Sequence, residues 1–214
     1  MVRPLEEAAK EAASCAKCAL AAERTQVVYG VGDPHAELMF VGEGPGFHED
    51  KQGEPFVGAA GKLLNRMLSE VGIERSDVYI ANIVKCRPPG NRDPLPDEIE
   101  ACTPWLTEQI ESIDPKVIAT LGRFAGAFIL DRPISITRIR GQRFARDGRV
   151  VIPTLHPAAV LRGGEKQVDL LREDFGTMMQ VLSEPRPSAS TVPVPVPVPV
   201  QPEAEPQPDQ LGLF

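Results

Sequence analysis

The sequence predicts an α/β fold built on a parallel sheet covered on both faces. Three observations carry that expectation. The runs ELMFVGE, VYIANIVKC and KVIATLG are short and apolar, as strands buried on two sides require. The segments between them place apolar residues at helical spacing, and glycine or proline marks the joins. In such sheets the working residues collect beyond the carboxyl ends of the strands, so the loop after each run is the first place to look for a site.

Taken in order, PLEEAAKEAASCAKCAL is compatible with a helix, with Pro4 near its first turn and glutamates close to the positive end of its dipole. It delivers Cys15-Ala-Lys-Cys18. ELMFVGE then runs into the glycine-rich GEGPG and a turn-rich loop. GAAGKLLNRMLSEVG follows, with Leu63, Leu64, Met67, Leu68 and Val71 on one helical face. VYIANIVKC repeats the strand signal, RPPGNRDPLP breaks it, and PDEIEACTPWLTEQIESI starts a helix after the prolines. KVIATLG is a third strand leading into the helix RFAGAFIL. After Pro133, SITRIRGQRFARDGRVVIPTLHP reads as a hairpin turning at Asp147-Gly148, and its second strand delivers HPAAVLR. An amphipathic helix near QVDLLREDFGTMMQVLSE closes the domain. GEGPG, the residues from Asn82 to Pro89, Gly122 and THPAAVLR should therefore line one rim.

The chain has 214 residues. Residues 1–184 make one domain of ordinary size, and 185–214 form a Pro-rich tail. Alternating Pro and Val from Val192 to Val200 exclude helix and central strand and favour an extended polyproline spacer, part of a disordered tether reaching roughly 75 Å. Leu211, Leu213 and Phe214 at its end suit a groove on another protein. No apolar run approaches membrane-spanning length and no charged-then-apolar leader opens the chain, so a cytoplasmic protein is expected. A net charge of −7 argues against a general nucleic-acid coat. Between Arg132 and Lys166, however, eight Lys or Arg stand against Asp147 and Glu165, a local excess that suits a phosphate-facing strip.

Four cysteines occur, Cys15, Cys18, Cys86 and Cys102. In a cytoplasmic protein four gathered thiolates point to a metal more than to two disulfides, and their spacing leaves tetrahedral zinc and an iron-sulfur cluster both open. GEGPG lacks the P-loop and dinucleotide spacings, which weighs against a nucleotide cofactor. Glycines there do let the backbone approach a flat ligand. Asn82 lies in an apolar run, where an unpartnered amide costs about 1 to 3 kcal/mol; such an amide suits reading the edge of a base. His156 suits a donor to a leaving oxygen, and Phe56 a stacking surface for an aromatic ligand. His35 and His48 fall in loops with no evident partner.

GEGPGFHED, GEPFVGAAGKLLNRML, ANIVKCRPPGNRDPLPDE and LHPAAVLR together closely resemble the family-four uracil-DNA glycosylases, and the likeness extends from CAKC to HPAAVLR. The resemblance implies a three-layer α/β/α sandwich around a four-stranded, mainly parallel sheet, and a 4Fe-4S cluster on Cys15, Cys18, Cys86 and Cys102. It also implies that a uracil extruded from single- or double-stranded DNA enters the pocket. Phe56 would stack on it and Asn82 would bond O4 and N3-H, while Glu49 would wall off the thymine methyl. His156 and backbone N–H groups near Glu43 and Gly44 would take up charge at O2. Placing the water falls to Glu43 or a backbone carbonyl, and no lysine stands out for a Schiff base, so hydrolysis without strand cleavage is expected. Arg140, Arg143, Leu161 and Arg162 would hold phosphates and the gap left by the base.

Two rivals share the resemblance: glycosylases for other deaminated bases, and a relative that captures uracil-DNA covalently. That relative carries a histidine-bearing basic loop after the second strand motif, whereas VKCRPPGNRDPLPDE has no histidine. The terminal QLGLF, Gln210 to Phe214, resembles motifs by which bacterial repair proteins dock on the sliding clamp, so the expected partners are uracil-containing DNA and a clamp. The protein itself is expected as a monomer associated with the nucleoid.

Overall fold

The structure is a computed structural model that describes residues 3–186; the expected terminal motif at Gln210, Leu211, Leu213 and Phe214, and the spacer from 187 onward, lie outside the described residues. Six strands form one sheet: β1 Val31–Gly32, β2 Leu38–Gly42, β3 Tyr79–Asn82, β4 Val117–Leu121, β5 Phe144–Arg146 and β6 Arg149–Thr154. Their order is β1-β3-β2-β4-β6-β5. The inner four are all parallel, while β1 and β5 pair antiparallel on the two edges. The expected count of four thus describes the parallel core. β5 is the first arm of the hairpin legible in the sequence, turning through Asp147 and Gly148 with φ of 49° and 74°. β1 has two residues, too few to give an alternating pattern.

β2, β3 and β4 are buried along their whole length, as central parallel strands should be. Alternation along β2 divides the core. Met39 and Val41 join a cluster with Trp105, Leu106 and Ala125, whereas Leu38 and Phe40 join Leu64, Leu68, Leu171 and Phe175. The first cluster is covered by α1 (Leu5–Ala13), α4 (Pro96–Ile113) and α5 (Arg123–Leu130), the second by α3 (Ala59–Glu70), α7 (Pro157–Gly163) and α8 (Glu165–Ser183). The result is the three-layer sandwich. Two short helices, α2 (Phe47–Gln52) and α6 (Ile136–Ile139), sit in the connections.

One strand is shorter than its sequence suggests. The apolar run 78–86 pairs as a strand only to Asn82, because β2 ends opposite it at Gly42. The next two amides, of Ile83 and Val84, turn to the carbonyls of Gly42 and Glu43 at 3.0 and 3.1 Å. Asn82 therefore stands at the strand tip rather than within the strand. Among the described residues no helix is long and apolar enough to cross a membrane.

Candidate active site

The tips of β2, β3, β4 and β6 open on one cleft of about 580 Å3. Its lining includes Glu43, Gly44, Glu49, Phe56, Asn82, His156 and Arg162, so the pocket residues expected from sequence do converge.

Asn82 is 1 % exposed, and its Oδ1 has no hydrogen-bond partner among the described residues. A buried acceptor without a donor costs stability, which makes this oxygen a group waiting for a ligand N–H. Gly42 permits the arrangement: a Cβ there would fall 2.3 Å from Asn82 Oδ1 and 2.8 Å from the Phe56 ring.

Phe56 is buried yet adopts a left-handed φ of 53°, a conformation that a bulky residue holds only when its surroundings enforce it. Glu49 supplies part of that enforcement. Its Oε1 accepts from the N–H groups of Val57 and Gly58, both at 3.0 Å, and so clamps the chain just after Phe56, at the entry to α3, to α2. Glu49 lines the cleft as expected, but its carboxylate is also a strut for the phenyl ring.

The Phe56 and His156 rings lie 5.8 Å apart, centre to centre, tilted by 35°. A flat ligand sandwiched between them would need two contact distances, roughly 7 Å. The ligand can therefore stack on Phe56 but must meet His156 at its edge. His156 caps α7, with Nδ1 accepting from the Ala158 N–H at 3.1 Å. That bond fixes the tautomer, leaving Nε2 to carry the proton as a donor. Burial, reinforced by nearby Arg162 and opposed by Glu49, lowers its pKa to about 4, so the ring is neutral at pH 7.

Glu43 follows β2. Burial raises its pKa, nearby Asp93 adds to the rise, and Arg123 opposes it. Glu43 and Gly44 both line the cleft, and among the described residues their N–H groups donate to no turn or loop acceptor. The loop carrying Asn91, Asp93 and Pro94 completes the rim. It is held by Arg92, whose guanidinium grips the buried Glu98 carboxylate at 2.6 and 2.9 Å.

Of the four residues expected at the DNA backbone, the structure separates two from the cleft. Arg140 is turned inward to the buried Asp174, itself bonded to Thr154, and also pairs with Glu173. Arg143 forms an ion pair with Glu184 at 2.7 Å. Both pair with carboxylates in or just after α8 and neither lines the cleft, so the structure does not bring them together with the pocket residues. Arg162 does line it, and Leu161 beside it is 49 % exposed. Sequence reasoning missed Arg123, which follows Gly122 at the tip of β4; its position just past a strand end was the available signal. Among the described residues neither Arg123 nor Arg162 enters an ion pair.

On the other side of the sheet the four cysteines line a single cavity together with Lys17, Arg24, Lys85 and Trp105. Arg24 donates to Cys86 Sγ at 3.4 Å, and the Lys85 N–H donates to Cys102 Sγ at 3.2 Å. Burial pushes the Cys102 thiol up to about 11 against the pull of Lys85, so binding a metal there must displace a proton. No group of three or more His, Cys, Asp or Glu among the described residues is arranged to hold a single ion. Four sulfurs around one cavity, with the Arg24 guanidinium aimed at one and a backbone N–H at another, nonetheless fit a metal group held by four thiolates.

Residues 29–180 match the family described as the Uracil DNA glycosylase superfamily. A type-4 uracil-DNA glycosylase from Sulfurisphaera tokodaii is 48 % identical over 191 residues, covering 85 % of this chain and 86 % of that one. The Archaeoglobus fulgidus type-4 enzyme is 46 % identical over 84 % of this chain and 92 % of its own. That of Thermotoga maritima is 48 % identical over 77 % and 86 %. With its cleft at the tips of a parallel sheet and its four cysteines in one cavity, the chain belongs to the type-4 uracil-DNA glycosylases of the uracil-DNA glycosylase superfamily.

Proposed function

We propose that this chain removes uracil from DNA by hydrolysing its N-glycosidic bond, leaving an abasic site. The observation that carries the reading is the buried, unpartnered Oδ1 of Asn82, set beside the Phe56 ring in the cleft. Uracil presents a donor at N3, whereas cytosine presents a lone pair there. Cytosine would leave Asn82 Oδ1 facing another acceptor, a mismatch of buried polar groups that discriminates strongly.

A uracil turned out of the strand stacks on Phe56 with its edge toward Asn82 and His156. As the bond between N1 and the sugar carbon breaks, its electron pair stays on the base and charge gathers at O2. Neutral His156 donates Nε2–H to that oxygen, and the N–H groups of Glu43 and Gly44 are placed to assist. Glu43 or a backbone carbonyl orients the water that adds to the sugar carbon; that water gives up one proton as its C–O bond forms, and the departing uracil anion takes one up from solvent, so the products are the abasic sugar and neutral uracil.

Arg162 and Arg123 contact phosphates at the mouth, and Leu161 fills the space the base leaves. Cys15, Cys18, Cys86 and Cys102 would hold a 4Fe-4S cluster, which ties the N-terminal segment to the domain. Residues 1–184 form the catalytic domain. The tail ending in Gln210, Leu211, Leu213 and Phe214 acts as a tether to a sliding clamp and so concentrates the enzyme on DNA.

Turnover on uracil-containing single strands tests the reading. Asn82→Ala and His156→Ala should each lose about a hundredfold to a thousandfold while keeping the visible absorbance of the cluster. Retained activity in both variants would refute it. A clamp pull-down with and without residues 210–214 tests the tether.

A further inference from the structure

The rim of the cleft carries an aromatic side chain that the chemistry above leaves unused. Phe47, the first residue of α2, is 45 % exposed, one of the few large apolar side chains at the described surface. Two cations lie over its ring. Lys51 Nζ stands 4.4 Å from the ring centre and the Arg87 guanidinium carbon 5.1 Å. The group is continuous with the cleft on two sides: Gly46, its neighbour in sequence, lines the pocket, and so does Asn91, whose Oδ1 accepts from Arg87 Nε at 2.7 Å. Among the described residues neither Lys51 nor Arg87 pairs with a carboxylate, so both charges are available to an anion.

We propose that Phe47, Lys51 and Arg87 form a second nucleotide subsite, which binds the residue next to the excised uracil when the strand is single. Its phosphates draw Lys51 and Arg87 off the ring, and its base stacks on the Phe47 face that they uncover. This rests on the cleft being a nucleobase pocket. The chemistry selects the occupant. A ring with mobile cations over it matches a ligand that alternates flat π faces with negative charge, because the phosphates can take the cations and the base can take the ring, the combination by which single strands are held without regard to sequence. An apolar peptide would cover the ring and leave both cations unmet. In a duplex the neighbouring base is already stacked on its own strand and has no face to offer.

The test is the affinity of the full-length protein for a fluorescent, uracil-free thymidine strand, followed by KM for a uracil-containing strand. Phe47→Ala should weaken strand binding and raise KM on the order of tenfold, and Phe47→Trp should restore both. Replacing the flanking nucleotides of the substrate by abasic ones should raise KM for the natural protein by a similar factor and add nothing in Phe47→Ala. An Ala variant within about twofold of the natural protein in both measurements, or an equal loss on duplex, overturns the subsite. The two readings separate cleanly. Strand binding that weakens in Phe47→Ala without any uracil excision would sink the glycosylase assignment alone; normal excision with unchanged KM would sink the subsite alone.

Discussion

Gly61 lies so close to Phe56 that a Cβ at 61 would fall 1.6 Å from the Phe56 carbonyl oxygen. No side-chain rotation relieves a clash with backbone, so Gly61→Ala must move the Phe56 loop off the start of α3. We expect a loss of stability of about 2 kcal/mol or more, together with a fall in uracil excision as the stacking ring leaves its place. Denaturant unfolding and steady-state kinetics measure the two. A variant equal to the natural protein in both would show that the loop has slack.

Glu49 acts on Phe56 through the two amides it accepts. Glu49→Ala frees both and should lower kcat/KM on the order of a hundredfold, the scale at which a misplaced positioning group is felt. Glu49→Gln keeps an acceptor oxygen and should recover most of that loss. If Gln is as poor as Ala, the charge rather than the clamp is what matters.

His156 makes stability depend on pH with a definite sign. The unfolded chain binds a proton near pH 6.5 that the folded chain refuses until about 4. Stability is therefore full above pH 6.5 and declines as acid is added through that window, by about 3 kcal/mol in all. Chemical denaturation of the natural protein and of His156→Asn at stepped pH isolates the histidine, since Glu43 and Asp174 titrate in both. A parallel pH dependence in the two proteins would contradict the buried, neutral ring.

The two arginine groups should part in their response to salt. Arg162→Ala removes a cation at the cleft and should reduce the salt dependence of DNA binding by about one counterion. Arg143→Ala opens a pair with Glu184 and should leave that dependence unchanged. The reverse result would restore the basic strip read from the sequence.

Much of this protein was legible in its sequence. The parallel core followed from ELMFVGE, VYIANIVKC and KVIATLG, because strands buried on two faces leave no room for polar alternation. The hairpin at Asp147-Gly148 followed from turn chemistry. Asn82 emerged as an amide inside an apolar run, and Phe56 and His156 as odd residues in a loop or just past a predicted strand. What the sequence could not show depended on distant partners. Arg140 and Arg143 looked free because the carboxylates that claim them, on Asp174 and Glu184, lie far along the chain in and after α8. The second duty of Glu49 was hidden for the same reason: which acceptor reaches which loop amide is settled by packing, not by residue type. β1 escaped because two residues cannot show a period.

The cap that His156 places on α7 gives one imidazole two employers. Its Nδ1 seats the helix that ends in Leu161 and Arg162, while its opposite edge faces the pocket. Under the proposed roles, grip on the strand and departure of the base would be indexed to the same side chain. If those roles hold, a redesign for another lesion should not begin at position 156, because each replacement would re-aim the proposed wedge along with the donor. Asn82, which carries no helix on its shoulders, would be the position where base preference could be retuned alone.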